Sequence, residues 1–153
     1  MLIVEIPGAG TLRLEHLVLD LNGTLTDRGE LIAGVAERLR RLAGCLQLHL
    51  LSADTFGTAR GIADRLDVSV ATIGTGAEKA AFVGALGPGT TAAIGNGRND
   101  EAMLRVATLG IAVLGPEGAA GPALLAADVI CGSVVDALEL LLDERALAAT
   151  LRP

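Results

Sequence analysis

Apolar and polar positions along this chain fall in short blocks whose period switches repeatedly between two and about 3.6 residues, which is how strands exchanging with helices read. Leu2 to Ile6, the turn chemistry of Pro7-Gly8-Ala9-Gly10, and Leu12 to Leu14 predict a β-hairpin. Leu17-Val18-Leu19 predicts a buried strand ending at Asp20. A loop through Gly23 and Gly29 follows. The spacing of Val35, Leu39 and Leu42 then predicts a helix over 34–43, with Gly44 suited to the position just past its end. Further strands are predicted over 46–51, 68–73, 91–94, 110–114 and 129–130. Further helices are predicted over 57–66, 77–86, 99–107, 118–126 and 134–142, the last amphipathic and closing the chain. Strands alternating with short helices imply an α/β fold, a parallel sheet covered on both faces. No Ser- and Pro-rich linker, charge block or fixed repeat breaks the alternation, and residues 1–153 are expected to form one domain.

Composition narrows the class. Hydrophobic residues make up 51% of the chain and the mean hydropathy is +0.54, yet Phe56 and Phe82 are the only aromatics, so the core is expected to be aliphatic. Charge or glycine cuts every apolar stretch well short of the roughly 18 residues a spanning helix needs. No basic region precedes an apolar stretch at the N-terminus, so no export signal is expected and a cytoplasmic location is. Cys45 and Cys131 lack any zinc-binding spacing and read as buried free thiols. A net charge of −6 argues against general affinity for nucleic acid.

In parallel sheets the loops leaving the carboxyl ends of strands build the site. Here they are polar: Asp20-Leu21-Asn22-Gly23-Thr24-Leu25-Thr26, Ser52-Ala53-Asp54, and Gly95-Asn96-Gly97-Arg98-Asn99-Asp100, with Lys79 between the last two. Each has an ordinary structural use. Asp20 fits a turn, Ser52 a loop cap, Lys79 a solvated helix start beside Glu78, and Asn99 and Asp100 the cap of the helix that begins there. Asp54 and Thr55 read as a helix cap, Arg98 as an exposed loop arginine, and His16 and His49 as structural. In this order, however, a carboxylate, a hydroxyl, a cation and an Asn/Asp pair form a set that can converge.

Asp20 to Thr26 resembles the DxDGT motif of the haloacid dehalogenase-like superfamily, and also the DKTGTLT phosphorylation motif of P-type ATPases. Gly95 to Asp100 resembles the GDGxND of those pumps, and small soluble P-type ATPase-like phosphatases are the nearest likeness. The resemblance implies a three-layer, doubly wound, mainly parallel Rossmann-like sheet with the N-terminal hairpin and no cap domain. It implies a magnesium-dependent phosphatase in which Asp20 attacks phosphorus and is transiently phosphorylated. Asp20, Asn22, Ser52 and Lys79 would be the catalytic group. Leu21, Gly23, Ser52, Ala53, Lys79 and Asn99 would face substrate. Mg2+ would be held by Asp20, the Asn22 main-chain carbonyl, Asn96 and Asp100. The chemistry suits these types: an anionic nucleophile approaches a phosphate only beside cations, and magnesium takes hard oxygen ligands.

Two positions depart from the family. Asn22 stands where phosphatases carry an Asp general acid and base, whose loss typically costs roughly 10²–10⁴ in rate. Slow turnover or an accumulating phosphoenzyme is therefore expected. Asn96 stands where the magnesium-binding Asp normally is, so metal affinity should fall unless Asp100 enters the coordination sphere. With two acids replaced by amides, a phosphate- or nucleotide-binding or regulatory module is the alternative, though retention of Asp20 favours chemistry. A receiver-type phosphate acceptor ranks third, since its N-terminal acidic pair is missing.

Only 31 residues separate Asp20 from Ser52 and 26 separate Ser52 from Lys79, too few for a cap. An open site is expected, taking a phosphorylated small molecule or macromolecule. The loop from Leu25 to Ile32 is a candidate contact for a homo-oligomer, a tetramer for example.

Overall fold

The computed structural model describes residues 1–53 and 58–153. Leu2–Ile6 (β1) and Gly10–Leu14 (β2) pair antiparallel as the hairpin. His16–Asp20 (β3) then starts a six-stranded parallel sheet with Gln47–Ser52 (β6), Ser69–Thr72 (β7), Thr91–Gly95 (β8), Leu109–Val113 (β9) and Val129–Cys131 (β10). Between β3 and the first helix lies only a small hairpin, Thr26–Asp27 (β4) with Glu30–Leu31 (β5), turned through Arg28 and Gly29 at φ 49° and 86°. The helices are Val35–Leu42 (α1), Thr58–Leu66 (α2), Gly76–Leu86 (α3), Glu101–Val106 (α4), Gly121–Ala126 (α5), Val134–Leu142 (α6) and Glu144–Leu151 (α7).

The strand order β10-β9-β8-β3-β6-β7 sets where the site forms. From β3 the chain winds outward through β6 to β7, then α3 carries it back across the sheet to β8 on the other side of β3. The winding direction reverses between β3 and β8, and that switch point opens a crevice at their carboxyl ends.

Side-chain alternation assigns the faces. Leu17 and Leu19 of β3, Ile94 of β8 and Ile111 of β9 pack with α1, α2, α6 and the hairpin. Val18, Ala93 and Ala112 point the other way, against Val83 of α3, Met103 and Leu104 of α4, and Ala123 of α5. The small residues on the second face let its helices approach closely: a β-carbon at Gly110 would lie 2.4 Å from the Leu104 carbonyl oxygen. Asp20, two residues beyond Val18, shares this face and so meets α3.

Several predicted boundaries shift. The helix expected over 118–126 begins only at Gly121, because residues 115–118 close a tight turn with two backbone hydrogen bonds, Gly115 N–H to Gly118 O (3.2 Å) and Gly118 N–H to Gly115 O (2.9 Å). Residues 98–100 form a 3₁₀ turn ahead of α4. Gly44 follows α1 without a positive φ. The chain does not close on α6, because Asp143 accepts from the N–H groups of Arg145 and Ala146 and starts α7. Cys131 is buried, but Cys45 is only half-buried. The expected cap by Asp54 and Thr55 lies outside the described residues. Among the described residues no helix is long and apolar enough to cross a membrane.

Candidate active site

Three charged side chains meet below the switch point. Lys79 Nζ lies 2.6 Å from Asp20 Oδ1 and 2.7 Å from Asp100 Oδ1. Lys79 arrives there because a capping box starts α3 one turn earlier: Glu78 N–H donates to Thr75 Oγ1 (3.3 Å) and Thr75 N–H donates to Glu78 Oε2 (3.0 Å). The solvated helix start is thus real for Glu78, whose neighbour Lys79 points inward instead. Gly76 permits the approach, since a β-carbon there would lie 2.9 Å from the Asn99 carbonyl oxygen. Burial alone would lower the Lys79 pKa, but Asp20 and then Asp100 more than offset it and hold the ammonium above its ordinary range.

Asp100 is 0% exposed and both its oxygens are engaged. Oδ1 receives Lys79, while Oδ2 accepts from the Asn96 N–H (3.0 Å) and the Gly97 N–H (2.8 Å). It therefore closes the preceding loop and makes no side-chain cap to α4, contrary to the capping expected from sequence. With three donors on its two oxygens, Asp100 orients Lys79 and has little acceptor capacity left over. Asp20, at 6% exposure, is the carboxylate of the pair that faces the crevice. Burial, then the charge of Asp100, raise its pKa to about 6 against the opposing pull of Lys79 and Thr24.

Thr24 bears on whether a hard cation fits. Its single hydroxyl proton faces two acceptors, Asp20 Oδ2 and Asn96 Oδ1, each at 2.9 Å. One proton cannot fully satisfy both, so two hard oxygens share a spot short of positive charge. Asn96 holds this orientation because its Nδ2 donates to the Gly118 carbonyl at 2.9 Å. That donor set fits magnesium. Among the described residues no group of three or more His, Cys, Asp or Glu could hold a metal, so amide and main-chain oxygens would have to complete the shell.

The remaining predicted residues divide. Ser52 is buried at the end of β6 and accepts from Asn22 Nδ2 at 3.1 Å, which brings both to the crevice. Gly23 turns the chain at φ 76°. Ala53 and Asn99 are exposed at the rim. Leu21 is placed otherwise than the resemblance implies: its side chain is in the core and its N–H donates to Leu51 O at 3.0 Å, so neither is turned toward a substrate. Its carbonyl instead gathers the N–H groups of Thr24, Leu25 and Thr26 and so shapes the turn. Arg98 is exposed, as expected. His16 and His49 lie away from the crevice and bond to each other, Nδ1 to Nε2 at 3.2 Å.

Sequence reasoning left out the 115–118 turn. Gly115 packs so tightly on the active-site loop that a β-carbon would lie 2.2 Å from the Gly23 carbonyl oxygen, and Glu117 lies over Gly23. The Gly-Pro-Glu-Gly string was the available signal, a turn after a buried strand.

No protein-family model matches the chain. Over 60 residues it is 52% identical to an uncharacterized protein of Methanocaldococcus jannaschii, a match covering 39% of this chain and 64% of that protein. The fold is similar to that of the 3-deoxy-D-manno-octulosonate 8-phosphate phosphatase of Moraxella catarrhalis, solved with magnesium, phosphate and KDO, with a TM-score of 0.67 and 23% identity over 91% of this chain and 94% of that one. A zinc-transporting PIB-type ATPase in its E2.Pi state matches with a TM-score of 0.65 and 25% identity over 79% of this chain but only 20% of that one.

Proposed function

We propose that this chain, which has the haloacid dehalogenase-like fold, is a magnesium-dependent phosphohydrolase working through an aspartyl-phosphate on Asp20. The observation that carries the reading is the buried Asp20–Lys79–Asp100 array at the switch point, with one carboxylate open to the crevice. A buried lysine between two carboxylates adds little to stability compared with apolar packing, and it has a clear use beside a transferring phosphoryl group.

An oxygen of Asp20 attacks phosphorus, the bond from phosphorus to the ester oxygen breaks, and that oxygen leaves with a proton. Lys79 offsets charge on the transferring group, and Ser52 and the Gly23 turn hold its oxygens. Water then attacks the phosphorus of the acyl phosphate, which releases inorganic phosphate and restores the Asp20 carboxylate. Asn22 holds the Ser52 hydroxyl but has no proton to give, so both proton transfers fall to solvent and turnover is slow. Asp20, the Asn22 carbonyl and Asn96 would hold Mg2+, which when bound neutralises the carboxylate and phosphoryl oxygens so that they can approach.

The substrate is a phosphorylated small molecule or the phosphorylated part of a macromolecule, reached through a crevice that no cap covers among the described residues. The test is hydrolysis of p-nitrophenyl phosphate and of ATP with and without magnesium, comparing wild type with Asp20→Asn and examining each for covalent phosphate. Release or labelling that needs both magnesium and Asp20 supports the reading. Equal silence of the two proteins would leave a phosphate-binding or regulatory module, which the amides at positions 22 and 96 would then explain.

A further inference from the structure

We propose that Glu117 is a positioning carboxylate for the divalent-cation site, restoring from a neighbouring loop the negative charge that Asn96 lacks. The inference rests on the metal-dependent reading above and adds to it a residue from outside the four sequence motifs.

Three observations place Glu117 there. The turn that carries it is fastened to both sides of the cation site. Asn96 Nδ2 donates to Gly118 O at 2.9 Å and Ala120 N–H donates to Asn96 O at 2.8 Å. Gly115 abuts the Gly23 carbonyl so closely that no β-carbon would fit between them. The carboxylate itself folds back over the active-site turn: a β-carbon at Gly23 would lie 2.7 Å from Glu117 Oε2, 3.1 Å from its Cδ, and 3.6 Å from Asn96 Nδ2. An exposed glutamate with no fixed partner usually extends into water. Here the two-bond turn at 115–118, with Gly118 at φ 82°, carries an exposed Glu117 whose carboxylate lies against Gly23, on the loop whose Gly118 carbonyl also orients Asn96.

The charge balance explains why a carboxylate is useful at this point. Of the described carboxylates in the Asp20–Lys79–Asp100 array, Asp20 faces the crevice with an oxygen given neither to Lys79 nor to the backbone, while Asp100 already takes three donors. A magnesium ion held by one carboxylate, one amide and a main-chain carbonyl keeps several waters. No three acidic or imidazole groups among the described residues stand together to hold a metal, and a carboxylate one water away from the cation, accepting that water's hydrogen bond, still favours the charge there. Residues that orient a metal's ligands in this way typically account for 10- to 100-fold in metal affinity.

The experiment is a Mn2+ titration of the whole protein followed by electron paramagnetic resonance, with Mg2+ as competitor, on wild type, Glu117→Gln, Asn96→Asp and the double variant. Urea midpoints without metal verify that each is folded. Glu117→Gln is expected to weaken Mn2+ binding 10- to 100-fold with an unchanged midpoint, and Asn96→Asp in the same chain is expected to restore it. Equal affinity of wild type and Glu117→Gln overturns the inference while leaving the metal-dependent reading intact. A loss that Asn96→Asp fails to rescue also overturns it, since the two charges would then not be exchangeable. Absence of Mn2+ and Mg2+ binding by wild type overturns the metal-dependent reading and this inference with it.

Discussion

Lys79 Nζ sits between Asp20 Oδ1 and Asp100 Oδ1 at 2.6 and 2.7 Å, with 1% of the lysine exposed. Removing the ammonium leaves two buried carboxylates facing each other. Lys79→Met is therefore expected to lower unfolding free energy by about 3–5 kcal/mol, read from urea denaturation. Asp100→Asn in the same chain should recover part of the loss, and a Lys79→Met protein as stable as wild type would disprove the pairing.

If Asn22 is what slows turnover, Asn22→Asp supplies the missing general acid and base. Hydrolysis of p-nitrophenyl phosphate is expected to rise by roughly 10²–10⁴, and any covalent phosphate trapped on wild type should disappear. An unchanged rate in a folded variant would place the slow step elsewhere.

Gly115→Ala puts a β-carbon 2.2 Å from the Gly23 carbonyl oxygen, a contact with backbone that cannot swing aside. Destabilisation of about 1–3 kcal/mol is expected from such overpacking, whereas Gly121→Ala, at the first residue of α5 with open space around it, should be neutral or stabilising. Equal urea midpoints for the two variants would contradict the close approach.

His49 is held below its ordinary value near 6.5 by burial first and by His16 second. Its other neighbours are the Ser69 hydroxyl, at 3.1 Å from Nδ1, and the edge-on ring of Phe82. The folded protein binds this proton less readily than the unfolded chain, so the contribution to stability is present above pH 6.5 and is lost as pH falls below it. Urea midpoints between pH 7.5 and 5 should fall more steeply for wild type than for His49→Gln. Parallel curves would show that His49 does not titrate this way.

The stretch between β3 and α1 carries only the β4–β5 hairpin, so nothing in the described chain closes the crevice. A second copy using residues 25–32 as a lid is expected to give a mass above the monomer in sedimentation equilibrium. A monomer at every concentration tested would leave the site open to macromolecular substrates.

How much of this was legible in sequence depends on how local each feature is. The exchange of strands and helices could be read because burial on one face imposes a period on neighbouring residues, and Leu17-Val18-Leu19 before Asp20 shows it. The candidate residues at positions 20, 52 and 96 could be read because parallel strands all present their carboxyl ends to the same side. Helix α7 was missed because its alanine-rich sequence buries only Leu147 fully, too little to set a period. Lys79 was ambiguous for a different reason: its capping box is the same whether the side chain points to water or inward. Only the strand order decided that, by sending α3 across β3 on the face where Asp20 emerges. The same holds for Asp100, which bonds backward to Asn96 and Gly97 rather than forward into its helix, and for Glu117, which meets Gly23 from 94 residues away in sequence. Sequence by itself determined the elements and the chemistry available at their ends, since both follow from neighbours along the chain. The tertiary structure alone decided which of those groups meet, because that depends on the order and handedness with which the strands are wound.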